Sequence, residues 1–246
     1  MDPHIKQDRV QIKADARERL RGLWGRLFLA CLLPSLSVIF LSRILGLNAQ
    51  NAWVDQTLQY ILTRGAAMNI AIAAMNILVM MPMRVSMCGI ILHTAETGER
   101  PNVMEVFSCF DRGYVSVVRS ILPMQLRLEA WSILSVLASY TFGYAGYIIY
   151  VALQIWVYNR TLAYMFTPFI AAENPGISGG EALARSIEMT RGRLIELLMM
   201  ILSFIGWMLF AVLTAGIALV YALPYEQMTE TLYYIRLRGA IEFEVR

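Results

Sequence analysis

Charge is scarce in this chain. Only 16% of its 246 residues are Asp, Glu, Lys or Arg, against about 25% in an ordinary soluble domain. Cysteine is scarcer still. Cys31, Cys88 and Cys109 form an odd set without paired spacing, so they frame no disulfide scaffold. Two of them fall in apolar runs, where cysteine behaves as a small hydrophobe. His4 and His93 are the only histidines, too few to complete a structural zinc site, and no metal is expected. No HExxH, GxSxG or Walker loop occurs, and Gly176, Gly179 and Gly180 are turn and cap glycines with no Lys-Ser/Thr behind them. No cofactor is implied. A formal charge of +3 is too small to imply a nucleic-acid partner.

What is abundant is apolar: 58% of residues are hydrophobic and the mean hydropathy is +0.54. Runs of about 18 residues or more are long enough to cross a ~30 Å hydrocarbon layer. The chain is therefore expected to be all-α: a single integral membrane domain over 1–246, a polytopic transmembrane helix bundle of about six spans with amphipathic interfacial helices. Spans are expected near 27–45, 65–92, 127–148, 152–172, 194–213 and 217–237. Residues 1–26 form a basic amphipathic segment on which Ile5, Val10, Ile12 and Leu20 offer an imperfect apolar face. The first span has no convincing cleavage site after it and is taken as retained.

Local signals fill in the rest. Gly46 to Arg64 has the character of an external loop with Trp53 at the interface. Pro82 interrupts the second span and requires a neighbour to satisfy the carbonyl it frees. Asn102 with Glu105, and Ser178 with Glu181, have capping-box spacing; Gly192 closes the second of these helices. The turn between the third and fourth spans falls between Gly143 and Gln154, with Tyr140, Tyr144, Tyr147 and Tyr150 as an aromatic belt. Ala211 and Ala215 make a small-xxx-small pair in the fifth span. The segment from Ile217 to Leu237, with Pro224, Glu226, Gln227 and Glu230 in it, is either a sixth span or an amphipathic external tail; Arg236 and Arg238 favour the sixth crossing, because it puts them on the positive, inner side. The expected location is the cytoplasmic membrane, multi-pass, with both termini cytoplasmic.

Several stretches carry a resemblance. IKADARERLRGLWGRLF, AAENP, EALARSIEMTRGRL, LSFIGWMLFAVLTAGIALVYALPY and MTETLYY resemble a family of bacterial polytopic membrane proteins of unknown function, with AL..S...M.G, LSFIGW and PY...T...FY motifs. The closing LYYIRLRG is also similar, distantly, to the end of the membrane domain attached to some glycerophosphodiester phosphodiesterases. Gln154-Ile155-Trp156-Val157 departs from the family's Pro-Gly-Ile turn, and Arg160 stands where a Lys is common. The resemblance implies an all-helical membrane protein and no chemistry.

Charge inside a bilayer costs on the order of 2.5–3.5 kcal/mol per residue, so each such residue is a candidate. Glu226 and Glu230 are four apart on one helix face. Arg84 and Arg160 are their natural partners, with Arg127 nearer the inner boundary. Arg185, Arg191 and Arg193 face anionic headgroups. Three functions are open on the sequence. The first is a non-enzymatic accessory, immunity or regulatory subunit of a transport or envelope system, whose partners are the lipid bilayer and another membrane protein or a second copy of the chain. The second is a small transporter or channel using the buried charges. The third is a lipid-modifying enzyme near Arg185 and Arg191.

Overall fold

The computed structural model describes residues 3–45, 66–111, 113–141 and 143–244, and every regular element among them is helical. In chain order these are α1 Pro3–Arg19, α2 Trp24–Ile44, α3 Ala66–Met75, α4 Met81–Thr97, α5 Tyr114–Thr141 and α6 Gly143–Ala163. They continue with α7 Thr167–Glu173, α8 Gly179–Thr190, α9 Leu194–Leu202, α10 Ile205–Leu213 and α11 Leu219–Glu244. The expected external loop from Gly46 to Arg64 lies outside the described residues.

Among the described residues three stretches are long and apolar enough to cross a membrane: Trp24–Ile44, Ile70–Thr97 and Leu194–Leu213. They coincide with the first, second and fifth expected spans. The expected third, 127–148, begins in α5 and ends in α6, and the expected fourth, 152–172, runs through the rest of α6 into α7. α5 ends at Thr141, ahead of the expected turn, and in its antiparallel hairpin with α6 the Trp131 and Trp156 ring centroids are 4.2 Å apart. The expected sixth falls on α11, which is less apolar. Its setting explains that: every residue from Met228 to Tyr234 is buried. A helix buried all round is held by protein, and its two threonine hydroxyls are satisfied within it. Thr229 Oγ1 donates to the Tyr225 carbonyl at 2.7 Å, and Thr231 Oγ1 to that of Gln227 at 2.8 Å.

Prolines set the local irregularities. α3 passes into α4 through a π-helical turn, Asn76–Met80. Pro82 has no N–H for the Leu78 carbonyl four residues back. That oxygen instead accepts the Tyr114 hydroxyl at 2.6 Å, which is the neighbour the sequence requires. The chain tightens again at Ser203–Phe204, between α9 and α10. The Ala211–Ala215 pair does not survive as a helix face: α10 ends at Leu213, and Ala215 takes a φ of 48° in the turn.

The amphipathic segments cover the bundle. On α1 the buried stripe is Ile12 and Ala16, continued by Leu20 and Leu23 just beyond it; Val10, expected on that face, is exposed, and the side chain of Ile5 lies outside what is described. Lys13 Nζ sits 4.3 Å from the Phe204 ring centroid, and the Arg17 guanidinium 5.1 Å from that of Tyr225. Burial, reinforced by Arg17 and Arg9, holds the Lys13 ammonium below its usual range. α8 starts as its capping box requires, Ser178 Oγ accepting the Glu181 amide at 3.2 Å, and Gly192 (φ 75°) follows its end. In the other box, the Asn102 side chain accepts from Met104 N. Ser186 and Thr190 hydroxyls both reach the carbonyl of Ala163, at 2.9 and 3.3 Å, and so tie α8 to the end of α6.

Gly179 is where α8 meets α5. A methyl group there would lie 2.5 Å from the Arg119 carbonyl oxygen and 2.6 Å from Pro123 Cδ. Backbone cannot retreat as a side-chain tip can. Gly179→Ala is expected to destabilise the fold by about 1–3 kcal/mol, read as a lower melting temperature in detergent. Gly180→Ala, whose methyl would meet nothing within 4 Å, is the control and should show no loss.

Candidate functional site

α11 offers Glu226 and Glu230 one turn apart, on the same side of the helix. α4 presents Arg84 two residues after Pro82, and α5 presents Gln125 two residues after Pro123. All four line one cavity of about 310 Å³, together with Gln227. The rest of its wall is largely apolar, with Met81, Met124, Met165, Met200 and Phe204 among the lining residues. Tyr158 and Thr161 of α6 line it too and are exposed, so they form its rim.

Glu230 is 4% exposed, and its Oε2 accepts a hydrogen bond from Gln227 Nε2 at 3.1 Å. Glu226 and Arg84 are half-buried. The field of Arg84 acts on both carboxylates. Behind them, the Cys31 and Cys88 thiols feel the charges of Arg84 and Glu230. Arg84 is the one cation among the described lining residues, against two carboxylates. Such an arrangement holds a proton or a positive ligand where a second cation would otherwise be needed. The described residues contain no cluster of His, Cys, Asp and Glu able to hold a metal ion.

Of the other charges singled out in the sequence, Arg127 and Arg160 are exposed and do not line the cavity. Arg160 lies 4.9 Å from the Trp156 ring centroid. Arg185, Arg191 and Arg193 are exposed on and after α8, and Arg185 is paired with Glu181 at 2.8 Å. The sequence reading missed Gln125, a buried amide in an otherwise apolar turn of α5. It also missed a polar clamp at the far end of α11. There the Arg238 guanidinium pairs with Glu173 of α7 and, at 2.5 Å, with Glu96 of α4. The Tyr234 hydroxyl donates to the same Glu173. One signal was available: Glu173 ends an apolar run directly before the Asn174-Pro175-Gly176 turn.

A family model described as a protein of unknown function (DUF975) matches residues 1–240. No curated protein and no solved structure matches, so the likeness of the closing segment to the membrane domain of glycerophosphodiester phosphodiesterases gains no support.

Proposed function

The chain belongs to this family of unknown function, and we propose that it is an integral membrane protein that passes a small charged solute or a proton through the cavity between α4, α5 and α11. One observation carries the reading. Arg84, far in the chain from Glu226 and Glu230, meets them at a single cavity with acid in excess of base. Embedded charge is costly and is retained where it serves a path or a ligand.

The membrane setting has its own support. α2 and the Leu194–Leu213 stretch expose large apolar side chains such as Ile39, Phe40, Leu209 and Leu213, as lipid-facing helices do. The arginines of α1 and the segment after it, and Arg236 and Arg238 of α11, favour the cytoplasmic side of the cell membrane for both ends. α11 carries its glutamates while packed inside protein, which spares them lipid contact.

The test is proton entry into proteoliposomes containing a pH-sensitive dye, driven by a potassium diffusion potential. The native chain should conduct, and Glu226→Gln should lower the rate at least tenfold at unchanged melting temperature. A folded native chain that adds nothing to the leak of empty liposomes would end this reading.

A second reading, an accessory subunit acting by contact, is favoured by the apolar end of the α10–α11 hairpin. Leu213 and Ile217 are 83% and 75% exposed there, a surface that lipid or another membrane helix would cover. The lipid-modifying reading is weakened by the Glu181–Arg185 pair, which neutralises part of the basic patch it needs.

A further inference from the structure

We infer that the cavity takes a monovalent organic cation, a substituted ammonium or phosphonium with an apolar body, which enters past Tyr158 and Thr161 and displaces a proton held there. The inference rests on the reading of the cavity as a solute site and names the class of solute.

Charge comes first. Two carboxylates face one guanidinium, so with both acids ionised one negative charge is unmatched in a poorly solvated space. Either a proton or a bound cation cancels it. The two compete for the same charge, so the arrival of one releases the other. Among the described residues the ionisable groups around the cavity are Arg84 and Cys88 from α4, Cys31 from α2, Tyr158 and Tyr164 from α6 and the turn after it, and both glutamates from α11, with Lys13 of α1 outside them against the Phe204 ring. Thiols and phenols are ordinarily neutral at neutral pH. The unmatched charge therefore sits on Glu226 and Glu230.

The wall selects among cations. A small metal ion asks for a shell of oxygen ligands, whereas much of this wall is methionine. Flexible thioether side chains mould to ligands of varied outline. Tyr158 and Tyr164 add aromatic rings, whose faces attract positive charge; the Phe204 ring already carries Lys13. An anion would meet the wrong sign, and a zwitterion would bring no net charge to answer the excess.

Size and access agree. At about 310 Å³ the cavity is at the lower end of small-molecule sites, which run from about 300 to 1,000 Å³. Its rim is on α6, the helix that also exposes Ile148, Val151 and Ile155. A solute with an apolar body would gather along such a surface before reaching the carboxylates.

The experiment uses the full-length chain in lipid nanodiscs, with radiolabelled tetraphenylphosphonium as probe and empty nanodiscs to subtract partitioning. We expect one saturable site per chain and about one proton released per cation bound in weakly buffered solution. Binding should tighten as pH rises. Glu230→Gln should lose both signals and Glu226→Gln should bind at least tenfold more weakly, while the similarly shaped anion tetraphenylborate should fail to compete. Absence of saturable binding to the folded native chain would overturn the inference, as would unchanged binding by Glu230→Gln. If tetraphenylphosphonium fails to bind while the native chain still conducts protons in liposomes, the cavity remains a proton path and the organic-cation assignment alone falls.

Discussion

Glu230→Gln is expected to be more stable than the native chain and unable to conduct protons. The substitution keeps the shape of the side chain and leaves an oxygen to accept from Gln227, while removing one of the two carboxylates that face a single guanidinium. Arg84 keeps Glu226 as a counter-charge, and the like-charge repulsion one turn apart, worth about 0.2–0.5 kcal/mol on an exposed helix and more in a poorly solvated space, is removed. Each kcal/mol raises the melting temperature of a chain of this size by about 2–4 °C. A purely structural ion pair predicts the opposite sign, because stranding Arg84 would cost about 3–5 kcal/mol. Thermal unfolding in detergent together with liposome flux separates the two. A variant that melts lower and conducts normally would mean that Glu230 is a brace and nothing more.

Arg84→Gln is the second large effect, and its sign is reversed. It leaves Glu226 and Glu230 one turn apart with no cation among the described lining residues. The expected loss is about 3–5 kcal/mol, seen as a melting temperature lower by roughly 10 °C. The remedy is specific. Adding Glu230→Gln to Arg84→Gln should recover most of the loss, because the repulsion that Arg84 relieves is then gone. Groups that share a partner in this way are coupled by about 0.5–3 kcal/mol in double-mutant cycles. If the two losses simply add, the three side chains do not form one electrostatic unit.

Part of this site was legible in the sequence. Two glutamates four apart in an apolar segment had to share a helix face, and an arginine inside an apolar run had to seek acid. Arg127 and Arg160 show where that logic stops. Arg160 stands between Tyr158 and Thr161, which line the cavity, and Arg127 directly precedes Leu128, which also lines it. One residue along a helix is a rotation of about 100°, so a correct segment still leaves the direction open. Hydropathy located α2, the Ile70–Thr97 stretch and Leu194–Leu213 because it measures transfer into lipid. It could not describe α11, whose Thr229, Glu230 and Thr231 are sheltered by other helices rather than by hydrocarbon. The Arg238 clamp was beyond reach for a different reason. It joins residues from three helices, and no local spacing records a meeting over that distance.

That clamp reaches further than its position suggests. Arg238 fastens the end of α11 to α4 through Glu96 and to α7 through Glu173, and those same helices deliver Arg84, Pro168 and both glutamates to the interior. It works as a tie-bar does in a frame, fixing from outside how far apart the inner walls can stand. Any anion that drew this guanidinium away would slacken the frame. The spacing of the interior is thus answerable to a residue that does not line it.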